Sequence, residues 1–446
     1  MKSHRTLRAD AGKIWSAALR AVNPELAVRS CVRRRGSRLT VGSRRIELDE
    51  VEDVWIVGAG KAAAPMAQAL ERVLGKRVSG GMLVTKYGHG LPLKRISLLE
   101  AGHPLPDANG LAAGEQLIRF VHENVKPADL VFCLLSGGGS ALLVAPAAGI
   151  SLEDKLECTR RLLRAGASIH EMNSIRKHLS AIKGGGLARL LCRGTVISLI
   201  LSDVVGDSLD TIASGPLVPD KTTFADCLEI LHKFGITDLV RPAVKNRLEE
   251  GAAGKVPETP KQGDPVFRQK ENWIVGSNAK ACTSAAAAAR RLGYRTLVLT
   301  SQLEGDTGEA AGFHMSVAEE VVFQNRPLRR PACLISGGET TVRVKGGGKG
   351  GRNQEFVLSC AARLARIPAP IVVASIGTDG TDGPTDAAGA VADNTTLARS
   401  IKFGARFLQD SLNDNNSYEF FKRLGDLIIT GPTRTNVMDI RLILIG

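Results

Sequence analysis

Residues 54–64 read Val-Trp-Ile-Val-Gly-Ala-Gly-Lys-Ala-Ala-Ala, a β-branched apolar run that breaks at glycine and continues in apolar residues to Leu70. A strand, a tight glycine turn and a helix in that order open a βαβ unit. The same alternation recurs outward along the chain. Strand-like runs at Gly81–Thr85, Leu130–Leu135, Val196–Leu201, Trp273–Val275, Thr296–Thr300, Ala332–Ile335 and Ile371–Ser375 are followed by turns and helical stretches. The runs are apolar throughout rather than alternating, which predicts parallel sheets covered by helices on both faces. The fold class expected is α/β.

At 446 residues the chain has length for two or three domains and for a sizeable core. Its most polar, turn-rich stretch is Glu249–Asn272. Read as a linker over 249–272, it separates an N-terminal α/β domain, residues 1–248, from a second α/β domain, residues 273–446. A faint echo supports two lobes: Trp55-Ile-Val-Gly58 recurs as Trp273-Ile-Val-Gly276, and Cys133-Leu-Leu-Ser-Gly-Gly138 as Cys333-Leu-Ile-Ser-Gly-Gly338.

Composition removes several function classes. No apolar run approaches the roughly 20 residues of a membrane span, and no secretory signal is visible, so a soluble, cytoplasmic chain without a membrane partner is expected. The eight cysteines form no C-x-x-C pair, which argues against zinc and for buried thiols in a reducing compartment. Residues 1–45 carry 12 basic and two acidic side chains, most of the chain's net charge of +14. Aromatic residues are 4%, too few for base stacking, and no nucleic-acid-binding motif is present. This segment reads as a solvated basic face on a helix, with Ile14, Ala17, Ala18 and Val22 on its apolar side, followed by a hairpin over Leu39–Leu48. No motif fixes the oligomeric state, and a homodimer stays open.

Glycine, 48 residues, is the outlier, and it clusters where strands end. Gly58, Gly60 and Lys61 lie in a G-x-G-x-x-A turn, whose backbone N–H groups suit a pyrophosphate at a helix start. The next strand ends Thr85-Lys86-Tyr87, without the carboxylate that a ribose would need. Lys61 in that turn suits a phosphoryl group. Ser136, Gly137, Gly138, Gly139 and Ser140 form a nest for a carboxylate or phosphate. Arg176 and Lys183, in Asn173-Ser-Ile-Arg-Lys-His178 and the glycine run after it, add cations that face an anion or solvent.

Asp203 stands at the end of the strand Val196–Leu201, where open α/β sheets bind ligands and a carboxylate can hold Mg²⁺. Gly337, Gly338 and Glu339 end another strand. Arg343 to Glu355 then packs four cations and five glycines before a helix, with Gly350, Gly351, Arg352 and Asn353 at its start. So many glycines point to a phosphate or nucleotide loop, and Arg352 can contact phosphate through two N–H groups. Asp379 and Asp382, in Gly377-Thr-Asp-Gly-Thr-Asp-Gly383, are candidates for Mg²⁺. Ala213-Ser-Gly-Pro216 and Thr430-Gly-Pro-Thr-Arg-Thr-Asn436 are further polar turns.

Taken in order, Val57-Gly-Ala-Gly-Lys-Ala, Leu135-Ser-Gly-Gly-Gly-Ser-Ala, Ser202-Asp-Val-Val-Gly-Asp with Ala213-Ser-Gly-Pro, Gly-Gly-Arg-Asn-Gln-Glu355, the Asp379 loop and Thr430–Asn436 resemble the glycerate 2-kinases of the MOFRL family. The likeness is collinear from about residue 10 to the C-terminus. It implies a two-lobed fold with the active site in a cleft between a Rossmann-like lobe and a smaller C-terminal lobe. It also implies transfer of the ATP γ-phosphoryl group to the 2-hydroxyl of D-glycerate, giving 2-phosphoglycerate. The family's lysine in Gly-Ala-Gly-Lys matches Lys61, and its arginine in Gly-Gly-Arg-Asn-Gln-Glu matches Arg352. Arg434 departs from the pattern, standing where members often carry glycine.

The catalytic set expected is therefore Lys61, Arg352, Asp203 and Asp379, with Asp203, Asp379 and Asp382 as candidate metal ligands. The Ser136–Ser140 nest would hold the glycerate carboxylate, and ATP and Mg²⁺ are the cofactors. The other reading of the G-x-G-x-x-A turn is an NAD(P)H-dependent hydroxypyruvate reductase, which the missing ribose carboxylate disfavours.

Overall fold

The computed structural model describes residues 2–446 and divides into two compact units. The first comprises residues 24–202 and 207–275; the second comprises residues 2–23, 203–206 and 276–446.

The first unit carries a six-stranded sheet in the order Ser97–Ala101, Gly80–Lys86, Val54–Ala59, Leu130–Ser136, Thr195–Leu201, Lys270–Gly276. The first five strands are parallel, as their uniformly apolar sequences predict. Every residue of Leu130–Ser136 is buried. Strand order reverses between Val54–Ala59 and Leu130–Ser136, which makes their carboxyl ends the crevice of a doubly wound sheet. The helix Ala63–Leu74 packs through a mostly small face, with Ala63, Ala64, Ala67 and Leu70 buried. A small three-stranded antiparallel sheet, Val32–Arg35, Arg38–Val41 and Arg44–Glu47, forms the expected hairpin region. A helical layer of Leu152–Arg164, Ile169–His178, Phe224–Lys233 and Pro242–Ala252 has its own core around Cys158, Leu162, Ile175, Phe224, Leu231 and Leu248. Three of its helices open with capping boxes, at Ser151/Asp154, Ser168/Glu171 and Thr223/Asp226.

Two expectations about domains are corrected. The stretch 249–272 is not a linker. It completes the helix Pro242–Ala252, runs across the first unit and enters the strand Lys270–Gly276. Hydrogen bonds hold it there: Asp220 N–H to Pro260 O at 2.9 Å, Phe224 N–H to Glu258 Oε1 at 2.8 Å, and Val196 N–H to Gln269 O at 2.9 Å. Its polarity reflects a surface path. Trp273-Ile-Val-Gly276 accordingly closes the first sheet instead of opening a second lobe.

The second correction concerns the N-terminal helix His4–Ala21, which belongs to the second unit. Its Leu7, Ala11, Ile14 and Ala18 have no exposed surface, and Arg8 pairs with Asp393 and Asp426 at 2.6 and 2.8 Å. Part of the basic segment is thus packed structure.

The second unit's sheet runs Arg295–Leu303, Ala332–Gly338, Asp439–Ile445, Ile371–Gly377, Gly389–Asp393, Leu427–Ile428. It is mixed, not parallel. Only the first pair is parallel, and the C-terminal strand Asp439–Ile445 lies antiparallel to both of its neighbours. A central strand buried on both faces reads as the same apolar run in either direction, so the sequence could not separate the two arrangements. Among the described residues no helix is long and apolar enough to cross a membrane. Of the eight free cysteines six are buried, as expected.

Candidate active site

In the first unit the polar groups gather at the switch point. Gly58 and Gly60 are there for close packing. A Cβ on Gly58 would lie 2.0 Å from Leu134 O, and one on Gly60, whose φ is +142°, would lie 2.1 Å from Ser136 Oγ. The turn's N–H groups are used inside the protein. Gly60 donates to Val84 O at 3.0 Å, Lys61 to Gly137 O at 2.9 Å, and Ala62 to Ser136 Oγ at 3.0 Å. The phosphate-binding role expected of Gly58 and Gly60 gives way to joining two strand ends, and Ser136 serves the same joint. The Lys61 side chain is left, half-buried, with no hydrogen bond or ion pair of its ammonium group among the described residues.

Across from this turn, Gly138 takes a left-handed φ of +85° and opens the short helix Gly139–Leu142. The ring of His103 lies against it, 2.8 Å from where a Gly138 Cβ would stand. Burial, helped by Lys61, Lys86 and His89, pushes His103 down to about 4, so this ring is neutral at pH 7. Ser140 Oγ meets Ser214 Oγ at 2.8 Å, and Ser214 Oγ donates to Asn173 Oδ1 at 3.2 Å. Lys183 Nζ donates to Ser140 O at 2.8 Å, and burial lowers its pKa far below the usual lysine value. Arg176 Nη1 reaches Asn173 Oδ1 at 3.5 Å. The expected residues Gly137–Ser140, Arg176 and Lys183 are thus joined in one region by Asn173 and Ser214.

Sequence reasoning missed His103, Ser214 and Asn173 as site members. Ser214 and Ala213 both take positive φ, +61° and +50°, a local strain that concentrates at functional sites. The turn Ala213-Ser-Gly-Pro216 was its signal in the sequence. His103 had none.

In the second unit the chemistry gathers at the ends of Ala332–Gly338, Asp439–Ile445 and Ile371–Gly377. Asp439, with no exposed side-chain surface, takes Arg352 Nε at 2.6 Å and Nη2 at 3.1 Å, Asn353 Nδ2 at 2.9 Å and Arg441 Nη2 at 3.2 Å. Arg352 also reaches Glu339 Oε1 at 2.6 Å. Arg352 therefore sits in a fork of two carboxylates at the start of the helix Arg352–Leu364. Asn353 is fully buried and receives Ser375 Oγ–H at 2.5 Å. Asp439 and the buried Arg441 went unnoticed in the sequence because they lie within an apolar strand, in register with Gly338, Gly377, Ser336 and Ser375.

Asp382 has another task than metal binding. Its oxygens accept the N–H groups of Asn353 at 3.0 Å and Gln354 at 2.9 Å, capping the helix start. Burial outweighs these bonds and raises its pKa to about 6. Asp379 is half-buried. Its Oδ1 accepts from Thr381 N–H and Oγ–H at 3.0 and 3.1 Å, and its Oδ2 has no hydrogen bond among the described residues. Asp203 follows the strand Thr195–Leu201 and groups with the second unit.

The glycine loop before Arg352 is also a packing device. A Cβ on Gly346, Gly348, Gly350 or Gly351 would come within 2.2–2.4 Å of Asp414, Asn416, Ser417 or Asp382. The N–H groups of Lys345, Gly347 and Lys349 donate to the side chains of Asn415, Asp414 and Asn416. Gly337 and Gly338 likewise admit Asn278 and Leu303. The expected nucleotide glycines hold Glu339, Arg352 and Asn353 in place, and their backbone is largely committed to the protein.

The metal expectation can be tested on this donor set. Among the described residues no three His, Cys, Asp or Glu side chains come together to hold an ion. Mg²⁺ bound with a nucleotide needs only one or two carboxylates and keeps waters and phosphate oxygens as its other ligands. Asp379 Oδ2 suits that contact; Asp382 does not.

A parallel doubly wound unit and a mixed-sheet unit, each with charged groups at its strand ends, define an α/β enzyme of anionic substrates. Residues 10–249 match the family described as Domain of unknown function (DUF4147), and residues 332–439 match the MOFRL family. The chain is 42% identical to the glycerate 2-kinase of Pyrococcus horikoshii over 96% of its own length and 95% of the relative's. It is equally identical to the D-glycerate 2-kinase of Thermotoga maritima over 96% of both chains. A protein of Agrobacterium vitis called a putative hydroxypyruvate reductase is 41% identical over 97% of this chain and 93% of its own. The crystal structure of the Thermotoga maritima glycerate kinase superposes with a TM-score of 0.89 at 40% identity, covering 99% of this chain and 100% of that one. The chain belongs to the glycerate kinase family that carries a MOFRL domain.

Proposed function

We propose that this chain is a cytoplasmic, ATP-dependent glycerate 2-kinase that forms 2-phospho-D-glycerate and ADP. The observation that carries the reading is the Gly-Ala-Gly-Lys turn. Its backbone donors are used up within the protein, while the Lys61 ammonium group is left for a ligand. A dinucleotide needs the backbone donors; a phosphoryl group in transfer needs the cation.

The 2-hydroxyl oxygen of glycerate attacks the γ-phosphorus, the bond to the ADP oxygen breaks, and the hydroxyl proton leaves. Catalysis of such a step is mainly positioning and charge neutralisation. Lys61 neutralises the transferring group. The Gly137–Ser140 nest with Lys183 and Arg176 holds the acceptor's carboxylate. Arg352, kept in one orientation by Asp439 and Glu339, serves the nucleotide phosphates, and Asp203 orients the attacking hydroxyl. Mg²⁺, bound with ATP and contacted through Asp379, would supply further neutralisation of the phosphates.

The reductase reading keeps the names of two relatives from Agrobacterium vitis in its favour. Against it stand the spent N–H groups and the strand end Thr85-Lys86, which offers no carboxylate to a ribose. Incubation with ATP, Mg²⁺ and D-glycerate followed by ³¹P NMR tests the proposal. A 2-phosphoglycerate signal is expected. A 3-phosphoglycerate signal overturns the regiochemistry. No transfer, together with NAD(P)H oxidation by hydroxypyruvate, overturns the kinase.

A further inference from the structure

One face of the second unit's sheet carries a buried run of polar side chains. Asp439 lies in register with Gly338 and Gly377, and Arg441 with Ser336 and Ser375, so both charged side chains project from the same face of the strand Asp439–Ile445. Side chains of the helices Thr307–Gln324 and Arg352–Leu364 meet them there. His314 Nε2 lies 2.7 Å from Ser336 Oγ, Ser375 Oγ–H donates to Asn353 Oδ1 at 2.5 Å, and the Arg441 guanidinium stands 5.2 Å from the centre of the Phe356 ring.

Arg441 has no exposed side-chain surface. Its Nη2 donates to Thr340 Oγ1 at 2.9 Å and to Asp439 Oδ2 at 3.2 Å. Its Nε and Nη1 have no acceptor among the described residues. A buried cation so incompletely answered is costly, and apolar residues of similar volume often replace one without loss of stability. Stability therefore does not explain an arginine here.

The surrounding charge does. Asp439 Oδ2 also accepts from Arg352 Nε, at 2.6 Å, and Arg352 reaches Glu339 as well. The Asn353 amide ties Asp439 to a third carboxylate, donating from Nδ2 to Asp439 Oδ1 at 2.9 Å and to Asp382 Oδ1 at 3.2 Å. Arg352 alone would face three carboxylates; Arg441 is the second cation of the cluster.

We infer that Arg441 is a positioning residue for the nucleotide phosphates, acting through Asp439. It supplies the counter-charge that lets Asp439 fix the Arg352 guanidinium without cancelling its attraction for an anion. The inference rests on the kinase reading for the identity of that anion. Without Arg441 the carboxylates of the cluster outnumber its cations by two instead of one, and a phosphate approaching Arg352 meets that excess. Buried as it is, Arg441 offers no surface of its own to a ligand.

The test uses the full chain and three variants, Arg441→Met, Arg441→Gln and Arg441→Lys. Calorimetric titration with ADP reads phosphate binding apart from turnover, scanning calorimetry reads Tm, and a coupled assay reads KM for ATP and for D-glycerate separately. In Arg441→Met and Arg441→Gln the ADP Kd and the KM for ATP should rise about tenfold or more, with the KM for glycerate unchanged. Arg441→Met should melt at or above the wild-type temperature, because an incompletely paired buried cation has gone. Arg441→Lys keeps the charge and should hold ADP within about threefold of wild type.

Wild-type ADP affinity in Arg441→Met overturns the inference, and so does a wild-type chain that binds no ADP. A lower Tm with both KM values unchanged marks a merely structural side chain and overturns it too. Should Arg441→Met fail to fold, Arg441→Gln decides; a chain that folds only with a cation at 441 also counts against the inference, because stability would then explain the residue. Arg441-dependent ADP binding without phosphoryl transfer to glycerate would remove the kinase reading and leave Arg441 its role. Transfer with an unchanged KM for ATP in Arg441→Met would do the reverse.

Discussion

Lys61 and Arg352, the two cations that align with the family's motifs, should fail in different ways when removed. Arg352 holds a fully buried Asp439 with two N–H groups and a 44% exposed Glu339 with a third. Breaking a buried ion pair by deleting one partner costs about 3–5 kcal/mol. Two observations reduce that figure. Arg352 is itself 34% exposed, and Asp439 keeps the Asn353 amide and Arg441 as partners. About 2–3 kcal/mol remains for Arg352→Ala, a fall in Tm of roughly 4–12 °C for a unit of this size.

The Lys61 ammonium group makes no such bond, so Lys61→Met should stay within about 0.5 kcal/mol of wild type. Both variants should lose turnover by roughly 10²–10³, the effect of removing one group that answers developing charge. Differential scanning calorimetry beside a coupled ADP-release assay separates the two outcomes. An Arg352→Ala protein that melts with the wild type would refute the idea that the fork is structural. A destabilised Lys61→Met would refute the idea that Lys61 is held in reserve for a ligand.

Asp382, with a folded pKa of about 6 against an ordinary 3.8, stabilises the protein fully below pH 3.8. That contribution is lost as pH rises through 6, a change on the order of 2–3 kcal/mol in all, of which about 1.4 kcal/mol falls between pH 5 and pH 7.5; urea unfolding at those two values should show it in wild type and not in Asp382→Asn. Gly60→Ala places a Cβ 2.1 Å from Ser136 Oγ at a φ of +142° and should cost more than about 3 kcal/mol by urea unfolding. Gly75→Ala, with φ +60°, ψ −126° and open space around it, should cost less, about 1–3 kcal/mol of backbone strain alone. Arg434→Gly relieves a φ of +61° and, after the extra entropy of glycine in the unfolded chain, should raise stability by up to about 1 kcal/mol, read as an equal or higher Tm with turnover unchanged.

The departure at Arg434 shows how a sequence motif and a backbone angle explain each other. The resemblance to the family implies glycine there, and the residue has a φ of +61°, which glycine enters without steric cost. The glycines before Arg352 teach the opposite lesson. Their density suggested a phosphate cradle, yet most face Asp414–Ser417 at distances no side chain would allow. Both uses, approach to a ligand and approach to the chain itself, require the same absence of a Cβ. Composition therefore could not tell them apart.

Local order in the chain determined the α/β class, the parallel sheet around Val54–Ala59 and Leu130–Ser136, and the positions of the glycine turns. Periodicity and turn chemistry are short-range properties written in adjacent residues. The family was legible for a related reason, since its motifs are contiguous. Three matters were decided only by the tertiary structure. The direction of Asp439–Ile445 depends on its neighbours in the sheet. The place of the first helix and of residues 249–272 depends on which surface buries them. The partners of Arg352 and Asp382 lie 87 and 29 positions away along the chain, at Asp439 and Asn353. Whether a charged side chain is free for a ligand or already committed is a question of three-dimensional neighbours, which the residue and its flanks do not contain.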